Sequence, residues 1–176
     1  MHVPAPILLK HNPAMDVRTQ MRSAASRNAA RTAIVAGDTR LSFAQAWARG
    51  VRMANALLAL GVRPQDRIGV LEDNCLEAAD FFLGAAIANL VRVPLYPRNT
   101  RAAHVHMLSH TGCRALVVSG KYAHELEGIR KDVASIEHVI VRDAGYEAWL
   151  AKHSANDPDV AIDPEDNYVI RHTGGT

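Results

Sequence analysis

Only two cysteines, Cys75 and Cys113, occur in the 176 residues, and they form no CxxC pair. That argues against a disulfide framework and leaves two buried thiols as the expectation. Long apolar runs are missing too. The longest, Phe81 to Ala88, falls far short of the ~18 residues a membrane-spanning helix needs, and Ile7-Leu8-Leu9 is too brief for a signal-peptide core. The chain is therefore expected to stay in the cytoplasm. Neither sign of charge dominates: 20 Lys and Arg are interspersed with 18 Asp and Glu, which leaves no footprint for nucleic acid. The one locally basic stretch, Arg18, Arg22, Arg27 and Arg31, reads as the solvated face of a leading helix. No internal repeat is present. What remains, 48% hydrophobic and 22% charged, is the make-up of an ordinary globular domain that buries roughly 70% of its unfolded surface.

The order of elements follows from periodicity and punctuation. Ala33 to Ala36 and Arg40-Leu41 flank Gly37-Asp38-Thr39 as a short β-hairpin. Ser42 and Gln45 have capping-box spacing and open a helix whose apolar positions are Phe43, Trp47, Val51, Ala54, Leu57 and Leu58, with Gly61 and Pro64 ending it. Arg67 to Leu71 reads as a strand. Asn74 with Glu77 is expected to cap the next helix, whose buried stripe would be Leu76, Ala79, Leu83, Ala86, Ile87 and Leu90. Val91 to Val93 is a strand broken off by Pro94 and Pro97, and Thr100 and Gly112 bound a third helix. Ala115 to Ser119 (strand), Tyr122 to Asp132 (helix), Glu137 to Val141 (strand), Tyr146 to Lys152 (helix) and Tyr168 to Arg171 (strand) complete the series. Ser154 to Asp166, rich in Asp, Asn and Pro, is a surface linker. Alternating strands and helices predict an α/β fold with a mostly parallel sheet flanked by helices on both faces.

Several residue constellations suggest chemistry, and each has a plainer reading. His106 and His110 have the i, i+4 spacing of zinc ligands, but no HExxH motif or third ligand accompanies them, so no metal site is expected. Glu72, Asp73, Glu77 and Asp80 resemble a set of paired acids, yet Glu77 suits a cap and Asp80 a solvent face. Phe43 and Trp47 fit core packing. Cys113 lacks a nameable basic partner and is expected to be buried rather than nucleophilic.

Taken together, several blocks resemble the adenylate-forming superfamily of acyl-CoA synthetases, luciferases and peptide-synthetase adenylation domains. Leu41-Ser42-Phe43 is similar to the first core motif, Ala54 to Val62 followed by Pro64 to Ile68 is similar to "ANALLALGVKPGDRV", Val93 to Arg98 resembles "VPLNPR", and Leu108 with Thr111-Gly112-Cys113 resembles "LEDSGA". The match runs from about Thr32 to the end. His172-Thr173-Gly174-Gly175-Thr176 resembles the start of "YTSGTTGxPKG", the loop that holds ATP phosphates in that family. Small residues let backbone N–H groups approach phosphate oxygens, and threonine hydroxyls add donors. Taken alone, such a segment is more often a turn or a floppy tail; only the upstream blocks reverse that. Three departures are visible: His172 stands at the usual tyrosine, Gly174 at the usual serine, and Asn89 where the helix-ending glycine of "KAGAV" is expected. Asn tolerates the left-handed conformation, so that turn should survive.

The resemblance implies an acid-thiol ligase that uses ATP with Mg2+ and transfers the acyl group to coenzyme A, with Thr173, Gly174, Gly175 and Thr176 as cofactor-binding residues. It assigns no catalytic residue here, since the loop lysine, the adenine and ribose contacts, the acyl pocket and the C-terminal lysine would lie past Thr176. The expected organisation is a leader with a basic helix (1–31), an α/β subdomain (32–153), and a linker, strand and incomplete phosphate loop (154–176). Such a piece of a larger ligase is expected to be inactive alone and prone to self-association. The competing readings are a peptide-synthetase-type adenylation fragment, a non-catalytic α/β scaffold or interaction domain, and a self-contained nucleotide-binding module.

Overall fold

The computed structural model describes residues 16–173, so residues 1–15 and the expected loop residues Gly174, Gly175 and Thr176 lie outside the described residues. Helix α1 (Val17–Arg27) starts at Asp16, whose carboxylate accepts from the Thr19 amide at 2.8 Å and the Thr19 hydroxyl at 2.6 Å. Strands β1 (Thr32–Ala36) and β2 (Thr39–Ser42) form the antiparallel hairpin, turned by Gly37 at φ +57°. Helix α2 (Phe43–Ala59) opens on the Ser42/Gln45 capping box, with both reciprocal hydrogen bonds made.

The main body alternates β3 (Arg67–Leu71), α3 (Leu76–Ile87), β4 (Val91–Pro94), α4 (Arg101–Thr111), β5 (Cys113–Ser119), α5 (Ile129–Asp132), β6 (His138–Arg142) and α6 (Tyr146–Ala151). The four strands are parallel, in the order β4-β3-β5-β6. Successive residues of β5 supply opposite faces. Ala115 and Val117 pack with Val51, Leu57, Phe81 and Ile87 of α2 and α3, whereas Leu116 and Val118 pack with Leu108, Leu126 and Ile129. Helices thus cover both faces, as alternation predicts. Each fully buried Leu or Ile contributes about 1.5–3 kcal/mol of transfer free energy.

Helices α2 and α3 approach so closely that glycine is required between them. A Cβ on Gly84 would lie 2.4 Å from Met53 Cγ, 2.8 Å from Met53 Cβ and 3.2 Å from the Ala54 amide nitrogen. Gly84→Ala is therefore expected to cost about 1–3 kcal/mol of stability through overpacking, although alanine is the better helix former by about 1 kcal/mol. The urea midpoint reads this directly. A variant as stable as the parent would show that the two helices part without penalty.

Several expectations need correction. The helix expected over Tyr122 to Asp132 is a 3₁₀ turn, Ala123–Leu126, and the four-residue α5, separated by Gly128 at φ +70°. The α3 N-cap is Cys75 with no side-chain cap bond; Glu77 instead lies 3.7 Å from Arg142. Of the expected α3 stripe, Ala86, Ile87 and Leu90 are buried, but Leu76, Ala79 and Leu83 are only half-buried while Asp80, Phe81, Gly84 and Ala85 are buried, because α3 is wedged between α2 and the sheet. Asp80 does not face solvent. The basic face of α1 is only partly solvated, since Arg18 is buried and donates to the Val160 carbonyl, and Arg22 pairs with Asp157 at 2.6 Å. Cys113 is buried and Cys75 half-buried. Finally, Tyr168 to Arg171 is no full strand but a single parallel bridge, Val169 against Arg92 of β4.

Candidate functional site

The bridge at Val169 matters because of where it delivers the chain. The segment 154–167 is pinned to the body by side chains: Arg52 donates to the His153 carbonyl at 2.7 Å, Asn55 to the Ser154 and Asn156 carbonyls at 2.9 Å each, and Asn89 to Asp166 at 2.7 Å. Asn89 itself adopts φ +54°, the left-handed turn expected of it. The chain then runs beside β4, with the Arg92 amide donating to the Tyr168 carbonyl and the Ile170 amide to the Arg92 carbonyl, both at 3.0 Å. It leaves the sheet edge in the direction of the strands' carboxyl ends, where open α/β sheets bind ligands.

Tyr96, just after β4, ties this exit down: its hydroxyl donates to the His172 carbonyl at 3.0 Å. Its own carbonyl accepts from His104 Nε2 at 2.9 Å, and His104 is fully buried on α4. The His172 ring meets His110 edge-on at 6.4 Å between centroids, and His110 stacks on His106 at 5.7 Å. Burial, then the neighbouring charges of His110 and His106, hold the His172 imidazole below its ordinary range. His172 thus reaches partners on α4 and at Tyr96, and Thr173 follows it, exposed.

A cleft of about 230 Å³ opens beside this exit, lined by Glu72, Asp73, Arg92, Tyr96 and Arg171 over apolar walls. The two acids are already neutralised. Glu72 receives Arg142 at 2.5 and 2.9 Å, and Asp73 receives Lys121 at 2.8 Å and the Tyr122 hydroxyl at 2.6 Å. Asp80 does not join them, because Arg49 of α2 holds its carboxylate at 2.9 and 2.7 Å. Arg92 stacks 4.5 Å over the Phe82 ring and 5.9 Å from that of Tyr168. Burial pushes the Tyr168 hydroxyl up to about 12, so it stays a donor, to the Phe82 carbonyl at 3.0 Å. Cys113 is remote from this chemistry, and burial pushes its thiol up to about 11. Among the described residues no group of three or more His, Cys, Asp or Glu could hold a metal ion, and no helix is long and apolar enough to cross a membrane.

Of the four expected phosphate-loop residues, only Thr173 is described, and it stands at the end of the tethered exit. Sequence reasoning passed over Tyr96, Arg92 and Arg171. The signal for Tyr96 was its place in the Val93 to Arg98 block; nothing local marked the two arginines.

A parallel sheet covered on both faces, with the chain leaving through Thr173 toward the carboxyl ends of its strands, is the form of an open α/β domain that binds ligands at that edge. The chain belongs to the AMP-binding enzyme family, which it matches over residues 21–176. It is 30% identical over 142 residues to the long-chain-fatty-acid–CoA ligase FadD13 of Mycobacterium tuberculosis, covering 79% of this chain and 28% of that protein. It is 27% identical over 154 residues to triostin synthetase I of Streptomyces triostinicus, covering 85% of this chain and 29% of that one. Among solved structures, the N-terminal domain of FACL13 from Mycobacterium tuberculosis superposes with a TM-score of 0.85 at 28% identity, over 92% of this chain and 42% of that one. The chain spans under a third of the length of these two curated relatives.

Proposed function

We propose that these residues are the N-terminal part of an acyl-CoA synthetase, an ATP-dependent, AMP-forming acid–thiol ligase. The observation that carries this reading is the tethered exit: a segment bridged to β4 and fixed by Tyr96 leads into Thr173 at the carboxyl edge of a parallel sheet. Thr173, Gly174, Gly175 and Thr176 would cradle the phosphates of ATP, with residues 32–153 as the scaffold. In the reaction a carboxylate oxygen attacks the α-phosphorus and the bond to pyrophosphate breaks. The thiol of coenzyme A then takes the acyl group and releases AMP. Magnesium would enter with the nucleotide and offset phosphate charge. What this chain's residues do is position: Tyr96 and Arg92 hold the exit at two successive points, so that the chain is fixed as far as His172 before the nucleotide arrives.

The 176 residues alone are expected to give no carboxylate-dependent exchange of pyrophosphate into ATP, whereas a ligase polypeptide carrying them should exchange. Robust exchange by the 176-residue chain would sink the partial-ligase reading. The likeness to the fatty acid–[acyl-carrier-protein] ligase ScoC of Streptomyces coeruleorubidus, 26% identical over 168 residues covering 94% of this chain and 32% of that protein, favours a second reading, in which the acyl acceptor is a carrier-bound thiol rather than coenzyme A. Offering each acceptor to the preformed acyl-adenylate separates the two.

A further inference from the structure

The exit tied by Tyr96 carries a row of three imidazoles. His172 meets His110 edge-on at 6.4 Å between ring centroids, and His110 stacks on His106 at 5.7 Å with the two planes 18° apart. The two on α4 are exposed and a turn apart, whereas His172 is half-buried and both of its ring nitrogens are buried without a hydrogen-bond partner. A neutral imidazole carries one N–H and an imidazolium two, so protonation adds an unmatched donor as well as a charge. Nothing facing the ring offsets that charge. His110 and then His106 approach from α4, Arg171 precedes it in the chain, the Tyr96 hydroxyl after β4 is given to the His172 carbonyl, and among the described residues no carboxylate pairs with it. Burial, then the charges of His110 and His106, disfavour the imidazolium. The neighbouring backbone is lightly held, since Val169 makes a single bridge and the Ile170 amide gives one bond to the Arg92 carbonyl. Upstream, Tyr168 is anchored: its ring sits edge-on to Phe82 and its hydroxyl donates to the Phe82 carbonyl at 3.0 Å.

From this geometry we infer that His172 is an acid-sensitive latch, whose neutral ring seats the exit against α4 and whose protonation frees residues 169–172 while Tyr168 stays in place as the hinge. The seated ring takes up a proton less readily than the freed one. Seating is therefore undiminished above the ordinary imidazole value of 6.5, weakens as the pH falls from there to the lowered value, and is level below it. Tyrosine, the usual residue at this position of the resembling loop, does not charge between about pH 5 and 8, so the response belongs to this chain's histidine. What the exit delivers rests on the ligase reading, whereas the latch rests on the three rings.

The test is amide hydrogen exchange of the 176-residue chain, read as the protection factor of Ile170 from about pH 7.5 to about 5.5. Division by the intrinsic exchange rate removes the pH dependence of exchange itself. Protection is expected to hold above about 6.5 and to fall by up to about tenfold over the unit below, while the amide of Leu116, buried in the middle of the sheet, keeps its protection. His172→Phe keeps a ring without a titrating nitrogen and should hold Ile170 protected throughout. Constant protection of Ile170 in the parent would overturn the latch, and so would an equal fall in His172→Phe or a parallel fall at Leu116. Where phenylalanine does not seat, His110→Gln decides, because it removes the nearer of the two charges: a smaller fall supports the latch and an unchanged fall overturns it. Acyl-adenylate formation plays no part in this readout, so a failed latch leaves the ligase reading standing and a failed ligase reading leaves the latch.

Discussion

Replacing Asp80 with alanine is expected to lower the unfolding free energy by about 3–5 kcal/mol, the range found when one partner of a buried ion pair is removed. Asp80 is 1% exposed on α3. Arg49 of α2 grips it with Nε at 2.9 Å and Nη2 at 2.7 Å, and the buried Tyr146 hydroxyl of α6 donates to it at 2.9 Å. Three helices meet at one carboxylate. Burial pushes the Asp80 carboxyl above its ordinary range even against the pull of Arg49, so the charge is held at a cost. Two consequences separate this account from simple loss of volume. Asp80→Ala leaves Arg49 with only Glu147, whose side chain is 61% exposed, and leaves the Tyr146 hydroxyl with nothing. Replacing the group as a unit, with Asp80→Leu, Arg49→Met and Tyr146→Phe together, should recover most of the loss, because packed apolar residues serve as well as a buried pair. Chemical denaturation of both variants checks this. A triple variant as unstable as Asp80→Ala would mean that the charges themselves hold the helices in register.

What the sequence made legible divides along the range of the interaction. Caps and turns are decided by residues a few positions apart, and most were readable: Ser42 with Gln45, Thr100 at the start of α4, Gly112 at φ +61°, and even Asn89 at φ +54° in place of glycine, though not the start of α3, where Cys75 and not Asn74 is the N-cap. The parallel sheet also followed, because the crossover helices α3 and α4 are long enough to announce themselves by period. Where two local choices compete, the sequence is silent. Gly128 could have been carried within a helix at about 1 kcal/mol, but it takes the left-handed conformation and divides the segment. Long-range pairing is silent in the same way. Nothing around Asp80 in the chain says that Arg49 waits on the neighbouring helix, so a charged residue on an amphipathic pattern reads as surface. The same holds for the candidate site. Arg92 and Arg171 share a cleft only because the 154–167 segment is fastened across α2 and α3 and brought alongside β4.

The second large effect belongs to the glycine-rich segment. In a ligase polypeptide carrying this chain, Gly175→Val is expected to slow acyl-adenylate formation by about 10²–10³-fold, the loss typical of removing one donor to a developing charge, or about 2.7–4 kcal/mol. The reason is chemical. Phosphate oxygens accept from backbone N–H groups only when no side chain stands between them, and valine adds a branched one that also resists the backbone angles glycine allows. Stability should hardly change, because the core residues that close both faces of the sheet lie between Val51 and Leu150. The exit is fixed upstream of the change as well, by Tyr96 at the His172 carbonyl and by Arg92 on both sides of Val169. Adenylation and thermal melting must therefore be measured on the same sample. Lost adenylation at an unchanged melting temperature would place the segment in the chemistry. Unchanged adenylation would remove it from the mechanism, while joint loss of adenylation and fold would contradict the separation of scaffold and loop on which the proposal depends.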